Sequence, residues 1–510
     1  MLTRRALVGV LLASLNLSFL LPALPADEAP ATAQSPRRFV ILLPADLAIA
    51  DSRARLFVFL SQRPSEPRTG PDWFHPEPFF AIDVSQPMAG GQYVVDDQSA
   101  GFPGPLSALA PGKYRAQAVL HQNHDHHDPG TASGNWHSDV MDVEVLDQQP
   151  LDIELSLTQQ APPRPFRGTD WVIETRLASP LLSQFHGREI VQYAGVVLPK
   201  AYFDEPERRF PVVYSIPGFG GSYHAALAYR DSPPTAAEGE TDLIRVFLTG
   251  ECEWGHHVFA NSATNGPRAD ALIQELIPHI DATYRTVAEP SARFLTGHSS
   301  GGWSSLWLQV SYPQFFGGVW STAPDPVDFR DFQRVDLYAS PPPSLFVDEQ
   351  GGRRPLARTA DDQPLLWFDS FLRMDDVLKR GGQLRSFEAV FSPRGPDGEP
   401  LRLWDRATGR VDPNVLRAWQ DYDINKKLES NWQSLAPQLA GKLHIWVGDR
   451  DTFYLEGAVR LLKETLQRLG SDASIVIVPG KTHSTLIDSE LRQTMRREMS
   501  EVFLKSRGGA

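Results

Sequence analysis

Ser299 stands at the centre of Gly297-His298-Ser299-Ser300-Gly301, a G-x-S-x-G pentapeptide. Residues 291–296 before it read as a short strand, and residues 302–310 after it as a helix. A strand feeding a helix through this pentapeptide lifts the serine above the sheet on a tight, strained turn. Such a serine is a candidate nucleophile for acyl transfer. It is a weak one unless a base takes its proton and a third group orients that base.

The C-terminal part supplies both partners. Leu443-His444-Ile445-Trp446-Val447 is apolar and β-prone and empties into Gly448-Asp449-Arg450-Asp451. Ser474-Ile475-Val476-Ile477-Val478 is a second such run and empties into Pro479-Gly480-Lys481-Thr482-His483. The chain order serine, acid, histidine is one of the known orders of a catalytic triad. We take His483 as the base. For the orienting acid we take Asp451 over Asp449, because three residues past the glycine lets the loop turn back toward the histidine. A fourth requirement is a hole for the oxyanion, where each backbone donor is worth about 3–4 kcal/mol. The strand-like residues 211–216 run into Pro217-Gly218-Phe219-Gly220-Gly221-Ser222. This glycine loop offers the Phe219 N–H, and the turn itself offers the N–H of Ser300. The loop lacks the spacing of a phosphate-binding G-x-x-x-x-G-K-[ST] loop.

These residues need a scaffold that brings loops to one sheet edge. From residue 167 to 506 strand-like and helix-like runs alternate, the pattern of a parallel sheet with helices on both faces. One helix follows Asn265-Gly266-Pro267, with Leu272, Leu276, Ile277 and Ile280 as its apolar stripe. Residues 38–160 differ: short strand-like runs at 55–60, 114–120 and 140–145 are separated by loops rich in proline, glycine and aspartate, which predicts a small all-β, sandwich-like domain. The proline-rich Ala161-Pro162-Pro163-Arg164-Pro165-Phe166 is the boundary. Residues 325–437, rich in aromatics, are an insertion expected to cap the site and shape its pocket.

The 510 residues carry a net charge of −13, which argues against nucleic acid and anionic membrane surfaces as partners. Residues 1–33 read as an export signal: basic Arg4-Arg5, an apolar run, then Ala31-Thr32-Ala33 as a cleavage site, with Ala26 an earlier alternative. No later apolar run is long enough to span a bilayer, so a secreted or periplasmic protein without stable membrane insertion is expected. The single cysteine, Cys252, allows no intramolecular disulfide and lies outside any elbow; it is expected to be a partly buried, inert thiol. His121, His124, His126, His127 and His137, with Asp125 and Asp128, have ligand types suited to zinc or another transition metal, but a solvated polar loop is the favoured reading, with a loop overhanging the cleft as a further alternative.

With these residues in place, the chain resembles the putative-esterase branch of the α/β-hydrolases, which includes esterase D, feruloyl esterases, enterochelin esterases and mycolyltransferases. The matching residues are Arg209-Phe210-Pro211-Val212-Val213-Tyr214, Glu275-Leu276-Ile277-Pro278-His279-Ile280-Asp281, Tyr284-Arg285, Gly297-His298-Ser299-Ser300-Gly301-Gly302, Gly448-Asp449-Arg450-Asp451 and His483. The resemblance implies an α/β-hydrolase fold, a Ser299–Asp451–His483 triad and no metal or organic cofactor. Pro217 departs from it, since many relatives carry histidine there. The expected function is an exported serine esterase acting on a small-molecule or carbohydrate-linked ester through an acyl-enzyme. The alternatives are an acyltransferase on the same triad, a non-catalytic carbohydrate-binding protein on the same fold, or a zinc hydrolase built on the histidine cluster.

Overall fold

The computed structural model describes residues 36–47 and 53–508. The expected export signal at 1–33 lies outside the described residues.

The N-terminal part is built from strands. These are β1 (Arg37–Leu42), β2 (Arg53–Ser61), β3 (Phe79–Ser85), β4 (Gln92–Val95), β5 (Ala100–Phe102), β6 (Gly112–His121), β7 (Trp136–Ser138), β8 (Met141–Val145) and β9 (Leu151–Gln160). They form one sheet in the order β4-β1-β9-β7-β6-β2-β3-β5, with β8 also on β6. Only the β1–β9 pair is parallel; the others run antiparallel. Strand β2 explains why Arg55–Leu60 shows no polar alternation. Leu56, Val58 and Leu60 point into a core shared with Phe39, Ile41 and Leu120. Phe57 and Phe59, on the opposite face, belong to the core of the rest of the molecule. A strand buried on both faces reads as a continuous apolar run.

The second sheet contains β10 (Val172–Ala178), β11 (Val191–Val197), β12 (Val212–Ile216), β13 (Ile244–Leu248), β14 (Arg293–His298), β15 (Gly318–Thr322), β16 (Leu443–Gly448) and β17 (Ser474–Val478), in the order β10-β11-β13-β12-β14-β15-β16-β17. β10, β11 and β13 pair antiparallel, and from β13 to β17 each neighbouring pair is parallel. Helix α1 (Ser300–Ser311) leaves β14 through the pentapeptide, and every residue of it except Ser311 is buried. It packs on β14, on β15 and, across its outer side, on a helix at Ile424–Leu439. Enclosure from all sides is why its sequence carries no apolar stripe.

The helix expected after Pro267 is interrupted: α-helical turns at Arg268–Ala271 and Ile277–Thr283 flank a π-helical turn at Leu272–Leu276. Leu272, Leu276, Ile277 and Ile280 are nonetheless all buried. Two further helices, α2 (Phe368–Leu378) and α3 (Gln383–Phe391), rise over the edge of the sheet where the strands β12, β14 and β16 end. The N-terminal sheet lies against α2. Arg55 donates from Nε and Nη2 to the Val377 carbonyl at 3.0 and 2.8 Å, Arg373 Nη1 to the Pro103 carbonyl at 2.7 Å, and Lys379 pairs with Asp83 at 2.8 Å. No helix among the described residues is long and apolar enough to cross a membrane.

Candidate active site

Ser299 occupies the residue between β14 and α1, with φ 61° and ψ −126°. A side chain is strained in this region, so the surroundings must hold it there. They do so with three backbone bonds: Ser299 N–H to the Thr322 carbonyl at 3.1 Å, and Trp303 and Asp325 N–H to the Ser299 carbonyl at 3.0 and 3.2 Å. The glycines of the pentapeptide are required by close approach. A Cβ on Gly297 would collide with the Gly301 carbonyl oxygen, and one on Gly301 with the Ile216 carbonyl oxygen.

The two loops after β16 and β17 meet. His483 Nδ1 lies 2.8 Å from Asp451 Oδ2, and Asp451 is fully buried, its other oxygen accepting the Phe453 N–H at 2.9 Å. Asp449 does a different job: its Oδ1 accepts the Gly480 N–H at 2.7 Å and ties the histidine loop down. Of the two aspartates, Asp451 is the one on the imidazole. The ring of His483 is flanked by Phe453, perpendicular at 5.0 Å, and by His298 at 4.5 Å. Burial, and next to it the charge of His483, push His298 down to about 4, which leaves it neutral beside the His483 ring.

Ser299 and His483 line one cavity of about 260 Å³, together with Gly218 and Phe219. The glycine loop passes directly over the serine: a Cβ on Gly218 would lie 3.2 Å from Ser299 Cβ. The loop turns back through a Gly221 N–H to Gly218 carbonyl bond at 3.0 Å, with Gly220 at φ 77°. Ser300 is the first residue of α1, where a backbone N–H has no acceptor within the helix. Pro217 keeps the loop in place through its carbonyl, which accepts from His256 Nε2 at 3.1 Å, while His256 Nδ1 accepts the Val258 N–H at 3.0 Å. Burial pushes His256 down to about 4, consistent with this neutral tautomer.

Several functional neighbours escaped the sequence reading. Asp325, three residues past Thr322 at the end of β15, borders the cavity and accepts the Ser300 Oγ–H at 2.6 Å. Burial pushes its carboxyl up to about 6. Its signal was available: an acid just beyond a strand at the same sheet edge as Ser299. The cavity walls come from distant parts of the chain: Trp73 from the N-terminal part, Phe371 from α2, and Gln383, Leu384 and Phe387 from α3. No sequence spacing links Trp73 to this site.

Two distractors resolve, one as expected and one not. Cys252 is buried, and burial raises its thiol to about 11, as an inert thiol requires. The histidine cluster is more ordered than a solvated loop. His121 ends β6 and His137 lies in β7, both buried. His126 and His127 bind the two oxygens of one carboxylate, Glu251, at 3.0 and 2.8 Å. Among the described residues no group of three or more His, Cys, Asp or Glu side chains could hold a metal ion.

The family described as putative esterase matches residues 191–484, more than half of the 510-residue chain and a span that includes Ser299, Asp451 and His483. This protein belongs to the putative-esterase family. The esterase is similar to an S-formylglutathione hydrolase from Agrobacterium tumefaciens (14% identity, TM-score 0.38, covering 66% of this chain and 98% of that one). It is also similar to a ferulic acid esterase from Anaeromyces mucronatus (15%, TM-score 0.34, 67% and 95%). A third is a fluorophosphonate-binding serine hydrolase of Staphylococcus aureus (13%, TM-score 0.36, 65% and 98%). No curated protein matches the chain. The esterase is a hydrolase of the serine type, as its family implies.

Proposed function

We propose that the esterase cleaves carboxylic esters through an acyl-enzyme formed on Ser299. His483 takes the serine proton as Oγ attacks the ester carbonyl. Asp451 holds the imidazole in the tautomer with Nδ1–H and stabilises the imidazolium that forms. The N–H groups of Phe219 and Ser300 receive the oxyanion. His483 then gives its proton to the leaving alcohol, and water repeats the sequence to release the acid. The observation that carries this reading is the 2.8 Å bond between His483 and the fully buried Asp451, with the strained Ser299 facing the same cavity as His483. The cavity is walled by Trp73, Phe371 and Phe387, which suits a compact, largely apolar acyl group.

Ser299→Ala should lower kcat on p-nitrophenyl esters by about 10⁴-fold or more with an unchanged unfolding transition. Hydrolysis at the parent rate would overturn the assignment. We read residues 38–160 as an N-terminal sandwich-like domain packed on the rest of the molecule and 325–437 as the cap of a catalytic domain over 167–506. Export belongs to the same proposal: the apolar run before Ala31-Thr32-Ala33 supports it, and N-terminal sequencing of protein recovered outside the cytoplasm should start after Ala33.

A further inference from the structure

The ring of Phe219 is held from outside the family-matched segment. Two rings of the N-terminal part reach it, Trp73 at 5.4 Å between centroids and His127 at 5.2 Å. Neither belongs to the sheet that carries the glycine loop, and both precede residue 191, where the family match begins.

His127 is itself fixed on several sides. Its Nδ1 donates to Glu251 Oε1 at 2.8 Å, and His126 takes the second oxygen at 3.0 Å. Burial alone would raise the pKa of Glu251, but the hydrogen bonds from His126 and His127 outweigh it and hold the carboxyl far below the usual range. Glu251 starts a short hairpin whose other strand, Gly255–His256, touches the same loop twice. A Cβ on Gly255 would come within 3.0 Å of the Phe219 ring, and His256 binds the Pro217 carbonyl at 3.1 Å. On the cap side, Gly381 at φ 88° packs its Cα directly against the His127 carbonyl, where a Cβ would collide.

We propose that His127 is a positioning residue for the esterase reaction: its ring, packed against Phe219, sets that side chain and thereby aims the Phe219 N–H at the oxyanion. The inference rests on the acyl-enzyme reading above and gives the N-terminal sheet a part in the chemistry. A donor acts only when it lies about 2.7–3.1 Å from the developing charge, and a displacement of about 1 Å can cost about 100-fold in rate. The backbone of a glycine loop has little stiffness of its own, so the ring packing supplies it.

The test is a double-mutant cycle in the full-length protein. His127→Ala should lower kcat on p-nitrophenyl butyrate by about 10- to 100-fold at nearly unchanged KM. The affinity of a trifluoromethyl ketone, which forms the same tetrahedral oxyanion, should weaken by the same factor. In a Phe219→Ala background the His127 substitution should have no further effect on either. His127→Phe keeps a ring against Phe219 and loses only the Nδ1 donor; it should retain kcat within about threefold, and it reads the same claim if His127→Ala does not fold. The proposal is overturned by kcat and inhibitor affinity that stay within twofold in His127→Ala, by additive losses in the Phe219→Ala background, or by a folded His127→Phe that loses activity more than tenfold. Failure of the acyl-enzyme reading itself would look different, because Ser299→Ala would then remain active.

Discussion

At His483 one carboxylate and two rings decide what the imidazole can do. Asp451 accepts its Nδ1–H from a fully buried position, whereas Asp449, two residues earlier, binds only the Gly480 N–H. Asp451→Asn should therefore lower kcat by about 10³- to 10⁴-fold, because the amide favours the wrong tautomer. Asp449→Asn should cost less than about tenfold, and steady-state kinetics on one ester separates the two. Asp325 makes a prediction of the opposite kind, in stability. Its carboxyl rises from the ordinary 3.8 to about 6 through burial, so the folded protein binds a proton more tightly there than the unfolded chain. Its contribution is complete below about pH 4 and is lost as pH rises through 6. The loss is at most about 3 kcal/mol at roughly 1.4 kcal/mol per unit. Asp325→Asn should gain thermal stability over the parent as pH goes from 4 to 8; an advantage that does not change with pH would contradict this. The meeting of the Asp451 and His483 loops was legible because each follows an apolar strand-like run at the same sheet edge as Ser299, the arrangement that the proposed triad needs. Asp325 left a partial signal, an acid just past β15 at the same sheet edge, whereas His298 and Phe453 were not legible as neighbours of His483, since a ring beside a cavity has no sequence signature until the loops are folded together.

Strands and helices bring these groups to one edge. β12, β14 and β16 each end within a residue or two of a loop that enters the site, and each was readable from its apolar run. Helix α1 was readable only through its pentapeptide, for burial on all sides removes the periodicity by which a helix is recognised. The π-helical turn at Leu272–Leu276 left the apolar stripe intact and so left no trace in the sequence. Gly301→Ala should test the contact of elbow and sheet, since the added methyl meets the Ile216 carbonyl. A cost of about 1–3 kcal/mol and loss of activity are expected, measured by denaturant unfolding and ester hydrolysis. In α2, Phe371 is both core and cavity wall. Phe371→Ala should destabilise by about 3–5 kcal/mol and shift kcat/KM from butyryl toward longer p-nitrophenyl esters.

Across the whole molecule, the N-terminal sheet and helix α2 share one buried surface, with Phe57, Phe59 and Phe79 joining Phe371 and Leu372 in a common core. The sequence announced the strands but not this docking, because the partners lie some three hundred residues apart, as in the Arg55–Val377 pair. Phe59→Asp, which places a charge in that interface, should lower both the unfolding temperature and esterase activity, whereas substitution at the exposed Met88 should affect neither. The account as a whole stands on one covalent event, and intact-protein mass spectrometry after treatment with a fluorophosphonate reads it directly. A single adduct that peptide mapping places on Ser299, absent from Ser299→Ala, is the predicted result. An adduct on another residue, or no adduct on a protein that still hydrolyses esters, would contradict it.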